Sequence, residues 1–466
     1  MHNPVPTPIA SASRVPSRRR RTAVATPVYG GTFGESQAER LLWRAGFGPR
    51  PGELAAVAGK GLRGAVLSLT RPAAARLSGP APTDGEGRPI APADAWGHDH
   101  LWWLDRMVRT NQPLVERMTL NWHDWFATGD VGSSRLGLAQ NALMRRNALG
   151  SFATLLEAVT RDPAMLIWLS GTANRKDSPN ENYARELMEL FTLGAGRGYS
   201  EDDVREMARA LTGFVNRWGD TGPYGFRFDP AAHDAGVKRV LGRRGRFDWH
   251  DACRLCLEHR SHASFFVDKL WSYFMPVPPP PSTRTRLVRL YKANRYAVRP
   301  VVEAILMHPL FYEGPRMVKP PIVYIAGLLR TRDAGVHSDA FAWTAALSGQ
   351  MLFHPPNVAG WDEARWLDTA TWRGRWKAAN LSLERDALKP DSGDYDAAET
   401  PAQAVEHALA FWGRPSITPE TAQRLTTFAE RCAAVTDQRW KQISHRILRQ
   451  NALRMLVATS PDLQTC

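Results

Sequence analysis

Cysteine is scarce in this 466-residue sequence. Of its four, only Cys253 and Cys256 stand close together, as C-x-x-C in "WHDACRLCLEH". No second pair is present at zinc-site spacing, and Cys432 and Cys466 stand alone, so neither a disulfide framework nor a four-ligand zinc site is indicated. The pair reads first as two small residues on a helix, with a redox or metal pair as the alternative. Long apolar runs are missing too. None approaches the roughly 18 residues of a transmembrane helix, which predicts a soluble chain. No G-x-S-x-G, P-loop or Rossmann fingerprint occurs in a strand-to-helix context, which argues against nucleophile-elbow hydrolases and the common nucleotide folds. Acid is absent from residues 1–34, which nevertheless hold Arg14, Arg18, Arg19, Arg20 and Arg21.

That arm supplies +5 of a net charge of +14, and with a pI near 10.0 the chain favours polyanions such as nucleic acid or anionic surfaces. Rich in Pro, Ser and Ala, the arm is expected to be disordered, because it has too little apolar surface to offset the entropy of ordering. Adjacent arginines resemble the start of an export signal, but Pro27, Gly30 and Gly31 interrupt the stretch beyond them and no apolar h-region appears. A cytoplasmic protein with a solvated basic tail is the first reading, a nucleic-acid tether the sharper one, and export the alternative location.

In place of these signals the chain offers a large helical core. Hydrophobic residues make up 43% of it, and 17 tryptophans run from Trp43 to Trp440, suited to packing large areas between helices. Segments such as "PLVERMTLNWHDWFA", "SFATLLEAVTRDPAMLIWL", "EDDVREMARALTGF" and "PIVYIAGLLRTR" repeat apolar residues at three and four, the period of an amphipathic helix. Ser200 with Asp203 makes a capping-box pattern, and Pro163, Pro309 and Pro461 close apolar runs. One segment departs from this period: "YGFRFDPAAHDAGVKRVLG" alternates Tyr224, Phe226 and Phe228 before resuming at Val237, Val240 and Leu241, a β-hairpin pattern with His233 and Asp234 in its loop. The expectation is a mainly α, multi-helical bundle-like fold with a small β-hairpin excursion near residues 224–241. It comprises the arm over 1–34 and one large helical domain over 35–466, with a candidate subdomain boundary at the proline run Pro276 to Pro281.

Carboxylates stand out in "NENYARELMELFTLG". Ser178, Pro179 and Glu181 fit the N-cap, N1 and N3 positions of a helix that Gly194 would stop. Tyr183, Ala184, Leu187, Met188, Leu190, Phe191 and Leu193 cover more than half its circumference, so the helix should be largely enclosed. Asn182, Glu186 and Glu189 share an arc of about 60°. Buried carboxylates are costly unless paired, hydrogen bonded or bound to metal. Glu186 and Glu189 are therefore candidate metal ligands or an acid–base pair, the alternative being ion pairs with Arg185, Arg205 and Arg209. In "PLVERMTLNWHDWFA", Glu116 and His123, seven apart, fall within about 20° on the side opposite the apolar face. With Glu186 and Glu189 they would make a Glu, Glu, Glu, His set acceptable to a divalent metal. His233 and Asp234 rank above the remaining histidines because loops concentrate function. The "HDH" run, His98 to His100, has a spacing that does not stack on a helix face.

"AERLLWRAGFGPRPGE", "PLVERMTLNWHDWFAT", "NENYARELMELFTLG", "YSEDDVREMARALTGF", "HDAGVKRVLG", "KLWSYFM", "GQMLFHPPNVAGW" and "LRMLVATSPDLQ" occur in this order. Together they resemble the bacterial family termed domain of unknown function 1800, over about residues 37–464. The resemblance implies a mainly helical protein with no assigned reaction. It also implies a neighbouring-gene partner resembling the alkaline phosphatase and sulfatase superfamily. Family-like positions are Glu116, His123, Asn180, Glu181, Asn182, Arg185, Glu186, Glu189, Arg209, His233, Asp234, Pro356, Asn357, Gly360 and Trp361. The last four belong to "PPNVAGW", read first as a rigid corner that Trp361 anchors, with a functional role only if it faces the candidate carboxylates Glu186 and Glu189.

Three functions stand as expectations. One is an enzyme with a Glu/His polar pocket, using Glu186, Glu189, His123, His233, Asp234, Arg185 and Arg209, either through a divalent metal held by Glu116, His123, Glu186 and Glu189 or by acid–base exchange. Another is a polyanion-binding protein built on the arm and on Lys238, Arg239, Arg243, Arg244 and Arg246. The third is a scaffold or maturation partner for the neighbouring-gene product.

Overall fold

The structure is a computed structural model describing residues 26–219, 222–389, 399–432 and 438–466. The arginines from Arg14 to Arg21 lie outside the described residues. Helices dominate, and two small antiparallel strand pairs are the sheet content among the described residues. None of the described helices is long and apolar enough to cross a membrane.

Local chemistry fixes many helix ends as the sequence suggests. Ser200 Oγ accepts from Asp203 N, and the Asp203 carboxylate returns a bond to Ser200 N, closing the capping box. Pro163, Pro309 and Pro461 each end one helical run by opening another. Each takes the first position of a short helix, behind Asp162, His308 and Ser460, whose side chains accept the exposed N–H groups.

The strands pair differently from the predicted hairpin. Gly222–Phe228 turns back on Phe214–Gly219, placing Phe214 opposite Phe228, while Lys238–Val240 pairs with Arg243–Gly245. A short connection between strands favours such local pairing. His233 and Asp234 lie in the link between the two hairpins. Cys253 and Cys256 are fully buried core residues; burial pushes the Cys256 thiol up to about 12 and the Cys253 thiol higher still.

"NENYARELMELFTLG" departs from a plain α-helix at both ends. Ser178 does not cap it: it closes a tight turn by donating its N–H to Arg175 O, four residues before the helix begins, and Asn174 Oδ1 accepts from Asn180 N. The α-helix begins at Asn182, beyond Glu181, and widens to a π-helix over Leu187–Leu193 before Gly194 ends it at φ 91°. Thr192 Oγ1 donates to Leu187 O at 2.5 Å, and the carbonyls near the far end find side-chain donors instead of the next turn. Trp125 Nε1 donates to Phe191 O, Lys269 Nζ to Leu190 O, and the His262 ring bonds Thr192 O.

Two buried clusters make the core. One gathers the helices up to Tyr312, and the other packs residues from Ile322 onward against Leu101, Trp103, Leu104 and Met107. Met275 and Leu287, which flank the proline run, belong to the same cluster. The helix Pro113–Trp125 lies between the two. Leu114, Met118, Trp122 and Trp125 enter the first cluster and Leu120 the second. Its sequence looks amphipathic, yet both faces are covered, so Glu116, Arg117 and His123 are buried to 2% exposure. Polar side chains enclosed in this way must be paired or kept for chemistry.

Candidate functional site

Glu116 is paired. Its Oε1 accepts from Arg145 Nε at 2.6 Å and Arg106 Nε at 3.2 Å, and its Oε2 from Arg145 Nη2 at 2.8 Å and Trp103 Nε1 at 3.1 Å. Two guanidiniums and an indole saturate this carboxylate. His123, two turns along the same helix, is ringed by Trp103, Phe353 and Trp361 at centroid distances of 5.4 to 5.7 Å, and its Nε2 accepts from Phe353 N at 3.2 Å. Burial first, and the charge of His354 second, push it down to about 3, so the ring is neutral.

The residue after His123 carries more chemistry. Asp124 is half-buried; its Oδ2 accepts from Tyr273 Oη at 2.7 Å and its Oδ1 from Trp361 N at 2.9 Å. Gly360 lies against the same carboxylate at φ 93°, where a Cβ would fall 2.3 Å from Asp124 Oδ1. The "PPNVAGW" loop thus turns around the carboxylate of Asp124, a residue outside the expected Glu186 and Glu189 pair. Glycine is required both by the left-handed backbone and by the close approach. A Gly360→Ala variant should lose about 2–4 kcal/mol, read as a lowered denaturation midpoint, because it meets backbone strain and a clash together.

Three residues beyond Gly360, Glu363 joins the group. It reaches the wall of a cavity of about 670 Å³ bounded by Trp271, Met275 and the proline-rich turn through Pro279. Glu363 is exposed as a residue, yet atoms crowd its carboxyl, which is pushed up to about 7, first by that desolvation and then by the charge of Asp124, while Arg117 pulls it the other way. Asp124 is itself raised, chiefly by burial. Tyr273 is held well above its ordinary value by burial and by Asp124. Arg117 is enclosed, and its Nε and Nη1 have no hydrogen-bond partner among the described residues. Lys269, pushed down to about 8 by burial, lies 4.7 Å from the Trp125 ring centroid. Two carboxyls, a phenol, a guanidinium and an amine are thus coupled around one helix. Raised acids beside a buried cation, two of whose nitrogens lack a partner among the described residues, suit proton-transfer chemistry.

The family model described as Protein of unknown function (DUF1800) matches residues 40–465. The chain belongs to this family. No curated protein and no solved structure matches it.

In this DUF1800 chain the other residues singled out by sequence lie elsewhere. Arg185 bonds Glu181 at 3.1 Å and Glu201 at 2.6 Å. Arg209 bonds Glu206 and Asp234, each at 2.7 Å. Against the upward push of its own burial, the bonds from Arg209 and Gly236 N hold Asp234 below the usual carboxylate range. His233 Nδ1 lies 3.0 Å from Thr212 O. Glu181, Glu206 and Arg209 line a separate open cavity of about 710 Å³, in which Arg209 pairs with Glu206 and Arg205 with Asp202. Glu186 and Glu189 straddle the junction of α- and π-helix, half-buried, with Glu186 raised by burial and then by Glu189.

Glu116, His123, Glu186 and Glu189 do not come together as ligands. Among the described residues no group of three or more His, Cys, Asp or Glu could hold a metal ion. Helical spacing places Glu116 and His123 on one face correctly, but the arginines of neighbouring helices claim Glu116. Within the basic cluster Lys238 is buried, with Nζ 3.1 Å from Gly236 O, and Arg243 pairs with Glu258 at 2.8 Å, while Arg239 and Arg244 are exposed cross-strand partners on the second hairpin. Arg117, Asp124, Tyr273 and Glu363 escape sequence reasoning, although each lies within or beside one of the family-like motifs. Arg117 and Asp124 repeat the seven-residue spacing of Glu116 and His123 one position on, and Glu363 comes two residues after "AGW".

Proposed function

We propose that this DUF1800 protein is an enzyme of acid–base type, with Glu363 exchanging a proton with a substrate in the cavity it lines. The observation that carries the reading is the coupling of Glu363, at the cavity wall, to Asp124 and Arg117. A carboxyl near 7 is populated as both acid and base at neutral pH, which is where proton transfer is most efficient. Asp124, fixed by Tyr273 and Trp361 N, tunes Glu363 upward. Arg117 stabilises the deprotonated form, so that the proton can leave as well as stay. Lys269, whose Nζ donates to the π-helical carbonyl of Leu190, favours the charged form of Asp124.

The tuning gives a test with two opposite signs. Chromogenic esters, phosphoesters and glycosides serve as the substrate panel, and carbonyl infrared difference spectra follow the Glu363 proton directly. Removing the neighbouring negative charge with Asp124→Asn should shift the acid limb of the pH–rate profile and the infrared titration to lower pH. Removing the neighbouring positive charge with Arg117→Met should shift both to higher pH, by about one unit each at this range of coupling. A carboxyl titration that neither variant moves would refute the coupling.

A further inference from the structure

We propose a second ligand site on the other side of His123, a pocket that binds a neutral saccharide. The cavity, of about 440 Å³, is lined by Trp96, Asp99, His123, Asp130, Arg135 and His354 among others. It is built at the N-terminal end of the helix His98–Arg109 and along the turn after Pro113–Trp125, and it does not include Glu363 or the residues coupled to it.

Three features define the ligand that would fit. The first is a buried donor. Since His123 Nε2 accepts from Phe353 N and the ring is neutral, its proton sits on Nδ1, for which the described residues supply no partner. His123 is 2% exposed yet lines the cavity, so a ligand acceptor there would take an N–H for which the described residues supply no acceptor.

The second is charge. Asp99, 6% exposed, and Asp130 bring two carboxyls to the wall, whereas of the cationic groups there Arg135 is paired with Asp94 at 2.8 Å and the charge of His354 acts on Asp99. Such a wall disfavours an anion. None of its groups, among the described residues, could hold a metal ion. It calls for a ligand that donates to carboxylates and accepts from an imidazole at once, which a vicinal diol does.

The third is the rim. Trp96 is 58% exposed and lies 4.4 Å from Trp343, itself 57% exposed, between ring centroids. Two indoles kept in water rather than in the core present flat apolar area beside a polar pocket. A pyranose has this duality, with an apolar C–H face for the indole and hydroxyls around its edge for Asp99, His123 and Asp130.

The test uses the full chain, fluorescently labelled, on an array of immobilised neutral glycans (α- and β-glucans, mannans, xylans) and anionic ones (heparin, alginate). It is run at about 0.5 M salt, where exposed charge contacts are screened. The expected result is retention on at least one neutral glycan class, weakened about tenfold in Trp96→Ala and in Asp99→Asn by calorimetry with the matching oligosaccharide. Trp96→Ala removes an exposed side chain, so its melting temperature should match the parent's and loss of binding cannot be charged to unfolding. Absence of neutral-glycan binding would overturn the proposal, as would binding indifferent to Trp96. Retention confined to anionic glycans and abolished by salt would also overturn it and assign the contact to surface arginines.

Discussion

Glu363→Gln should abolish turnover and at the same time make the protein harder to unfold at alkaline pH. The two effects share one cause. In the folded chain, burial and Asp124 raise Glu363 from an ordinary 4.5 to about 7, so the native state holds a proton that the unfolded chain releases earlier. Stability from this group is therefore fully present below pH 4.5, declines as pH rises to about 7, and stays reduced above it. Glutamine has the shape of the protonated acid and no charge to bury at any pH. Above pH 7 the variant should melt higher than the parent, by about 1–2 °C for a chain of this size once solvent screening at the open cavity is allowed for, and the difference should vanish near pH 4. Loss of a positioned acid–base group should lower kcat by about 10²- to 10⁴-fold on any substrate found in the panel. Thermal melts at pH 4 and pH 8, set beside rates, check both halves. A variant that is inactive but not stabilised at pH 8 would mean that the ionised Glu363 costs the fold nothing, so that its carboxyl is not raised and it plays some other part. One that is stabilised but fully active would remove it from the chemistry.

The helical period is legible because it depends on local spacing, and Pro113–Trp125 illustrates its limit. Leu114, Met118 and Trp122 announce one buried face, but nothing local announces that Trp103 and Phe353, far apart in sequence, cover the other. Once both faces are closed, Glu116, Arg117, His123 and Asp124 are all under pressure to find partners, and which of them is satisfied depends on helices distant in the chain. Glu116 meets Arg106 and Arg145, whereas Arg117 meets no acceptor for two of its nitrogens among the described residues. Periodicity therefore singles out Glu116 and His123 and passes over their neighbours Arg117 and Asp124, on which the proposed chemistry rests. "NENYARELMELFTLG" shows the same limit in backbone form. Its apolar residues fit an α-helix, and the π turn over Leu187–Leu193 arises from donors on Trp125 and Lys269 that no local pattern reveals. The "AGW" loop reads as a corner because glycine and tryptophan are good corner residues. It is one, and it turns around Asp124.

Glu116→Ala should be the most destabilising of these substitutions without touching the proposed chemistry directly. Glu116 is 2% exposed and is the shared acceptor of Arg106, Arg145 and Trp103, so alanine leaves two guanidiniums and an indole N–H inside the protein without this acceptor. Removing one partner of a buried ion pair costs about 3–5 kcal/mol, more than the pair contributes, because the remaining charge stays desolvated. Arg145 retains Asn141 Oδ1 at 2.6 Å, and both arginines lie over the Trp102 ring, which sets the loss nearer the lower figure. The measurement is the shift of the urea midpoint at constant m-value, which separates lost stability from a change in the unfolded ensemble. Glu116→Gln provides the internal control, since an amide oxygen can still accept from one arginine, and its loss should be clearly smaller. If alanine and glutamine cost the same, the carboxylate's charge is not the feature that holds the two core clusters together at this point. If neither costs anything, Glu116 is free to serve as the ligand that its spacing with His123 suggests.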